Sequence, residues 1–158
     1  MTHVDRVAVR VDDLDSAVAD FTRIFGMTFE VTDVEALGLR VAICDQGIEL
    51  VEVPGAPPKL VENYGGGVLA ALSIKVPDVK AVKQKLLDRG VELINEVDAA
   101  EFKEIYCVKG TFHGLPLTVA QYGDSFLEAL HGPGDMPDDY APTVTWYRPE
   151  YAPEGAAE

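Results

Sequence analysis

The chain has 158 residues, the size of one compact domain, and its 47% hydrophobic content suffices for a packed core. A formal net charge of −14 opposes binding to a phosphate backbone and argues against a nucleic-acid partner. No apolar run approaches the roughly 20 residues of a membrane span, and the start, "MTHVDRVAV", lacks the pattern of a signal peptide. With two cysteines, Cys44 and Cys107, and no CxxC, the sequence predicts reduced thiols in a cytoplasmic protein rather than a disulfide framework.

The stretch Asp5–Val11 alternates strictly between apolar and polar positions and predicts a strand. A helix follows, with Leu14, Val18, Phe21 and Phe25 at helical spacing, Asp12 or Asp13 as N-cap and Gly26 as stop. Short strands are predicted at Thr28–Thr32, Leu39–Cys44 and Gly47–Val53, the last two joined by a hairpin turn at "DQG". The Pro- and Gly-rich run from Pro54 to Gly67 predicts a linker.

The pattern then restarts. A strand at Ala71–Val76 leads into a helix with Val79, Val82 and Leu86 on one face, ending at Gly90; strands follow at Val91–Ile94, Phe102–Val108 and Leu115–Tyr122. A shift of 65 residues superimposes Val7 on Leu72, Val9 on Ile74, Val11 on Val76, Asp13 on Asp78 and Phe21 on Leu86. This is an internal βαβββ repeat. The fold expected is α+β: two tandem βαβββ modules making a curved, partly closed mixed sheet around a cavity, with the helices outside. Residues 1–122 form that unit (module one 4–53, linker 54–67, module two 68–122), and residues 123–158 are an extension. The extension carries eight acidic residues against Arg148 alone, yet also Trp146, Tyr147 and Tyr151, which predicts a segment wrapped on the domain or on a partner subunit. "FLEALHG", from Phe126 to Gly132, predicts one or two helical turns.

The two modules, the "V-x-D-L-x-x-A-x-x-x-F" opening and the "G-I-E-L-V-E-V-P" end of module one resemble the vicinal oxygen chelate superfamily over about residues 4–122. That group includes glyoxalases, extradiol dioxygenases, methylmalonyl-CoA epimerases and bleomycin-binding proteins. The resemblance implies a metal held by inward side chains on the first and last strands of each module. Those positions here are Arg6, Glu49, Ala71 and Thr118. An arginine has no lone pair to offer a cation and an alanine no donor at all, so no metal or other cofactor is expected. His3 has the wrong strand parity to replace a ligand, His131 lies in the tail, and His113 lies in the loop before the last strand.

Strand parity places Val7, Val9 and Val11 against the helix and Arg6, Ala8 and Arg10 on the concave side, with Ala71, Ser73 and Lys75 as their counterparts. Glu49 shares the concave face. If Asp45–Gln46 is the turn, Arg40, Ala42 and Cys44 join it there. Pro116, Thr118, Ala120 and Tyr122 also point inward. The catalytic candidates are therefore Arg6, Glu49 and Tyr106, and the ligand-binding candidates Arg40, Ser73, His113 and Thr118. An unpaired buried charge is costly, so an Arg6–Glu49 ion pair is expected where relatives hold metal. Arg6 and Arg40 would grip an anionic or neutral small molecule through forked hydrogen bonds, with Arg10 and Lys75 as rim charges.

Three functions remain open on these residues. One is a metal-independent isomerase or lyase moving a proton beside a carbonyl, with a fixed cation replacing the metal. A second is a metal-free protein that sequesters a small molecule or antibiotic. A third is a metal-dependent dioxygenase or glyoxalase with displaced ligands. Relatives often pair, so a homodimer is also left open.

Overall fold

The computed structural model describes residues 1–34, 37–54, 58–65, 69–99, 101–126, 129 and 143–155. Strand β1 (His3–Arg10) leads into helix α1 (Leu14–Phe25), then β2 (Glu30–Val34), β3 (Leu39–Ile43) and β4 (Ile48–Glu52). Helix α2 (Pro58–Gly65) joins this module to the second, made of β5 (Leu69–Lys75), α3 (Val79–Asp88), β6 (Leu93–Ala99), β7 (Phe102–Cys107) and β8 (Leu117–Gln121). A further strand, β9 (Thr143–Trp146), and a 3-10 turn at Pro149–Tyr151 come from the C-terminal extension. Among the described residues no helix is long and apolar enough to cross a membrane.

Among the described residues, the nine strands form one curled mixed sheet in the order β2-β3-β4-β1-β5-β8-β7-β6-β9. β1 runs parallel to β4, β5 runs parallel to β8, and the antiparallel β1–β5 pair stitches the modules together. The expected repeat and half-barrel architecture are thus present. The expected linker is not irregular throughout, because Pro58, whose missing N–H is harmless in a first turn, opens α2 inside it. The expected helical turns at 126–132 lie mostly outside the described residues.

The helices form where their caps allow. Asp13 accepts from the Ser16 N–H and Gly26 ends α1 in the left-handed conformation; Asp78 does the same for α3 through Ala81. Leu14, Leu50 and Ala42 make the core beneath α1, with Val9 and Val11 against it. Val79, Leu86, Leu117 and Val119 make the core beneath α3. The largest core lies on the concave side and draws on both modules, with Ala8, Val41, Ile43 and Val51 from one and Val97, Phe102 and Ala120 from the other.

The extension completes that concave core. β9 pairs with β6, Tyr151 is buried among the concave residues, and Trp146 packs on them. Pro153 then reaches Gly38, coming within 3.5 Å of where a Cβ would stand. The chain therefore crosses from the outer edge of module two to the loop before β3, as its aromatic content suggested.

On the outer face Lys83 of α3 pairs with Glu96 of β6, and Tyr147 hydrogen-bonds both, at 2.6 and 2.7 Å. Partial burial would raise the Glu96 carboxyl, but the hydrogen bonds from Lys83 and Tyr147 outweigh it and hold the group below its usual range. A lowered carboxyl stabilises the fold above its ordinary range and stops doing so as pH falls through it. Replacing Lys83 with Met should cost at most about 1 kcal/mol at pH 7 in urea unfolding, and that gap should narrow on acidification.

The turn between β3 and β4 fixes which side chains enter the cup. Cys44 N–H bonds to the Ile48 carbonyl, leaving a three-residue loop, Asp45 to Gly47, with Gly47 at φ +80°. Only glycine takes that conformation without strain, and an added Cβ would meet nothing closer than the Asp5 carbonyl at 3.6 Å. Gly47→Ala should therefore cost about 1–2 kcal/mol for conformational reasons alone, measured by urea unfolding.

Candidate functional site

Arg6 lies at the centre of the concave face, 6% exposed. Its Nε donates to Glu49 Oε2 at 2.6 Å, its Nη1 to Asp5 Oδ2 at 2.5 Å and Ser73 Oγ at 3.2 Å, and its Nη2 to Glu104 Oε1 at 2.8 Å. The Phe126 ring covers the guanidinium at 4.1 Å. Tyr106 donates to Glu104 Oε2 at 2.8 Å, Thr118 also hydrogen-bonds Glu104, and Tyr122 donates to Asp5. Five strands meet here: β1 brings Asp5 and Arg6, β4 Glu49, β5 Ser73, β7 Glu104 and Tyr106, and β8 Thr118.

Of the residues picked out from the sequence, Arg6, Glu49, Tyr106, Ser73 and Thr118 are brought together in this cluster, and Ser73 lies directly opposite both Arg6 and Thr118 in the ladder. Arg40 and His113 are not. The three-residue loop sets Ile43 opposite Glu49 and Arg40 opposite Glu52. A two-residue turn would have shifted the register by one and turned the other face inward. Leu39, Val41 and Ile43 therefore line the cup, while Arg40 points outward to Asp15 of α1 at 2.9 Å and to Asp33 and Glu52. His113 stands exposed in the turn before β8, at φ 52°, its ring edge on Phe112, which packs on the core beneath α3.

A bulge in β1 alters the parity of the strand's beginning. Val4 pairs with Ile74 and Arg6 with Ser73, so Asp5 is the extra residue and its carboxylate joins Arg6 on the concave side. The same bulge puts His3 opposite Lys75, on the concave parity rather than the convex one expected, although its ring stays exposed and, among the described residues, bonds the Met1 carbonyl. Of the expected rim charges, Arg10 pairs with Asp12 at 3.5 Å, and Lys75 bonds the Gly123 carbonyl while lying over the Tyr122 ring.

Two members of the cluster escaped the sequence reading. Glu104 sits two residues before Tyr106 on one strand, so period two alone puts it beside that candidate. Asp5 gave no comparable signal, because the bulge that turns it inward has no local signature such as glycine.

Electrostatically one guanidinium serves three carboxylates. Burial works against the charge on Arg6, but Glu104 and Glu49 outweigh it and hold the group well above its ordinary value, so it stays protonated. Burial pushes the Glu104 carboxyl up, Arg6 opposes that, and Glu49 adds to it. The two directions are compatible: the shared guanidinium is fully compensated, whereas Glu104 receives only part of its charge. Burial also raises the Tyr122 hydroxyl, helped by Asp5. The thiols stand apart, Cys44 bonding the Ile48 carbonyl and Cys107 pushed up to about 12 by burial.

Two spaces adjoin the cluster. On one side is an apolar hollow of about 60 Å³, walled by Leu39, Val41, Ile43, Val97 and Phe102, with Glu49, Glu104 and Tyr106 along its polar side. On the other is an open vestibule of about 380 Å³ lined by Asp5, Asp45, Lys75, Tyr122 and Asp124. Arg6 and Phe126 line both and separate them. Among the described residues no group of three or more His, Cys, Asp or Glu side chains is arranged to hold a metal ion.

A two-module α+β half-barrel closed around a small polar cluster is thus the class of protein that the fold and site define. The chain belongs to the Glyoxalase/Bleomycin resistance protein/Dioxygenase superfamily, whose family model matches residues 3–115. Among solved structures it is similar to a variant of Streptomyces coelicolor methylmalonyl-CoA epimerase in complex with 2-nitronate-propionyl-CoA. That match has 18% identity and a TM-score of 0.65, covering 78% of this chain and 99% of the other. It is likewise similar to the Mycobacterium tuberculosis methylmalonyl-CoA epimerase, at 20% identity and a TM-score of 0.63, covering 77% and 88%. A Bacillus halodurans hypothetical protein matches at 17% identity and a TM-score of 0.64, covering 78% and 96%. At these identities the likeness establishes the fold. A search of curated proteins returned no match.

Proposed function

We propose that the protein is a metal-independent enzyme of the isomerase or lyase type that moves a proton beside a carbonyl in a small molecule. The observation that carries this reading is the Arg6 guanidinium held between Glu49 and Glu104 at 2.6 and 2.8 Å, at the edge of an apolar hollow. A divalent cation does not fit this set of residues: Arg6 brings a fixed positive charge, Ala71 no donor, and Ser73 and Thr118 only neutral hydroxyls.

In this reading the two carboxylates have different roles. Glu49 lines the hollow with its side chain 13% exposed and takes the Arg6 hydrogen bond on Oε2; among the described residues nothing donates to Oε1. That oxygen is the base. Glu104 is 1% exposed, and burial favours its protonated form. With its proton on, it donates to Tyr106, whose own O–H then turns toward the hollow it lines and serves as the acid. Burial raises the Glu104 carboxyl, and an acid supplied from that side facing a carboxylate base at the hollow is an arrangement that acid–base catalysis uses.

The test is solvent deuterium uptake, followed by mass spectrometry, by small carbonyl compounds with anionic, neutral and cationic head groups: methylmalonyl-CoA, because similar structures bind CoA esters of this kind, acetone and aminoacetone. Exchange above the buffer rate that survives chelator treatment is expected; exchange that needs an added divalent cation would overturn the metal-independent reading. A second reading, sequestration without turnover, is favoured by Arg6 being so fully engaged by its own carboxylates. Tight binding of a small molecule with no exchange would establish it.

A further inference from the structure

We infer that the cup selects a compact organic ammonium group over a carboxylate, which inverts the charge preference suggested by its arginines. This rests on the reading of the hollow as a small-molecule site. A guanidinium has five N–H donors, and four of those on Arg6 are already directed at Glu49, Asp5, Ser73 and Glu104. Its face is covered by Phe126. Little of the group remains to grip an incoming anion.

The other cations are no better placed. Arg40 points away from the cup, and Lys75 is engaged by Gly123 and Tyr122. Against the single guanidinium stand Asp5, Glu49 and Glu104, three carboxylates within 2.8 Å of its nitrogens. A proton on Glu104 still leaves Asp5 and Glu49 against Arg6, a surplus of negative charge. That surplus has an outlet, because Glu49 Oε1 takes no hydrogen bond among the described residues and Glu49 lines the hollow.

A carboxylate entering here would lose its hydration and face Glu49 without a donor. An ammonium group would donate to Glu49 Oε1 and balance the surplus, its short apolar body packing on Leu39, Val41 and Phe102. A hollow of about 60 Å³ limits the part that enters to a few heavy atoms. Asn95 is a further buried polar side chain beside the cluster, although it is not among the residues that line the hollow. It lies opposite Tyr106 in the ladder, is 1% exposed, and neither amide atom has a partner among the described residues.

The test is an NMR titration of the full chain with propylammonium, 1-propanol and propionate, which differ mainly in the charge of the head group. Propylammonium should bind about tenfold or more tightly than propionate, with shifts centred on Glu49 and Tyr106. Because the chain carries a net −14, any cation is attracted to it in general. Glu49→Gln should therefore erase most of the discrimination, while Glu154→Gln, at an exposed tail carboxylate, should leave it intact. Equal losses in both variants, or disappearance of the preference in high salt, would assign it to bulk charge and overturn the inference. Propionate binding as well as the amine would overturn it too, yet leave the proton-transfer reading standing. No shift with any of the three would sink both.

Discussion

Replacing Arg6 with methionine should destabilise the protein by about 3–5 kcal/mol at pH 7 in urea unfolding, because it strands buried carboxylates rather than removing one exposed charge. Methionine nearly matches the stem in volume, so packing accounts for little of the loss. Asp5 and Glu104 have side chains 6% and 1% exposed, and Glu49 13%, so solvent cannot take over the role of the guanidinium. The sign of the pH dependence is fixed as well. Burial already pushes the Glu104 carboxyl up, and losing Arg6 removes the main influence that opposes it. A carboxyl raised in the folded state binds protons that the unfolded state has released, so stability falls as pH rises through that window. The variant should accordingly regain stability relative to the wild type as pH drops toward the carboxylate range. A loss under about 1 kcal/mol with no such recovery would show that the guanidinium is not the hub of the cluster.

Glu49→Gln should lower the deuterium exchange rate by about 10²–10⁴-fold, the usual contribution of a positioned general base. The amide keeps the size of the side chain and one acceptor for Arg6, so the fold should survive, which circular dichroism and urea unfolding would check. Glu104→Gln should behave differently. It retains a hydrogen bond to Tyr106 but has no proton to lose, so the high-pH fall in the wild-type rate should vanish from its profile. That fall should lie above the ordinary carboxylate range, since burial raises Glu104. Unchanged exchange in Glu49→Gln would remove the base from the scheme, and with it the enzymatic reading.

Much of this arrangement was legible before any coordinates. The period-two pattern of β1, β5 and β8 assigned Arg6, Ser73 and Thr118 to the concave face, and the need to neutralise a buried guanidinium paired it with Glu49. What failed did so for local reasons. Arg40 was assigned inward from a two-residue turn, and Gly47 in the left-handed conformation makes it three, which rotates the whole of β3 by one position. The β1 bulge, with no glycine to mark it, brings Asp5 to Arg6 and carries His3 to the other face. Glu104 shares a strand and a parity with Tyr106, so the period-two pattern already places it beside that candidate. The docking of the extension was expected from Trp146 and Tyr151, but its path past β6 to Gly38 depends on long-range packing that spacing along the chain does not encode.

The pairing of β9 with β6 also bears on how the molecule keeps to itself. β6 is seven residues long and rich in aliphatic side chains, so an uncovered flank would offer its main-chain groups to any neighbouring chain. Four residues, Thr143 to Trp146, occupy that flank, and Pro149 soon ends the possibility of further ladder growth. The extension thus exchanges a seven-residue aliphatic border for one of four residues, half of them threonine, which offers copies of the protein a shorter template on which to stack.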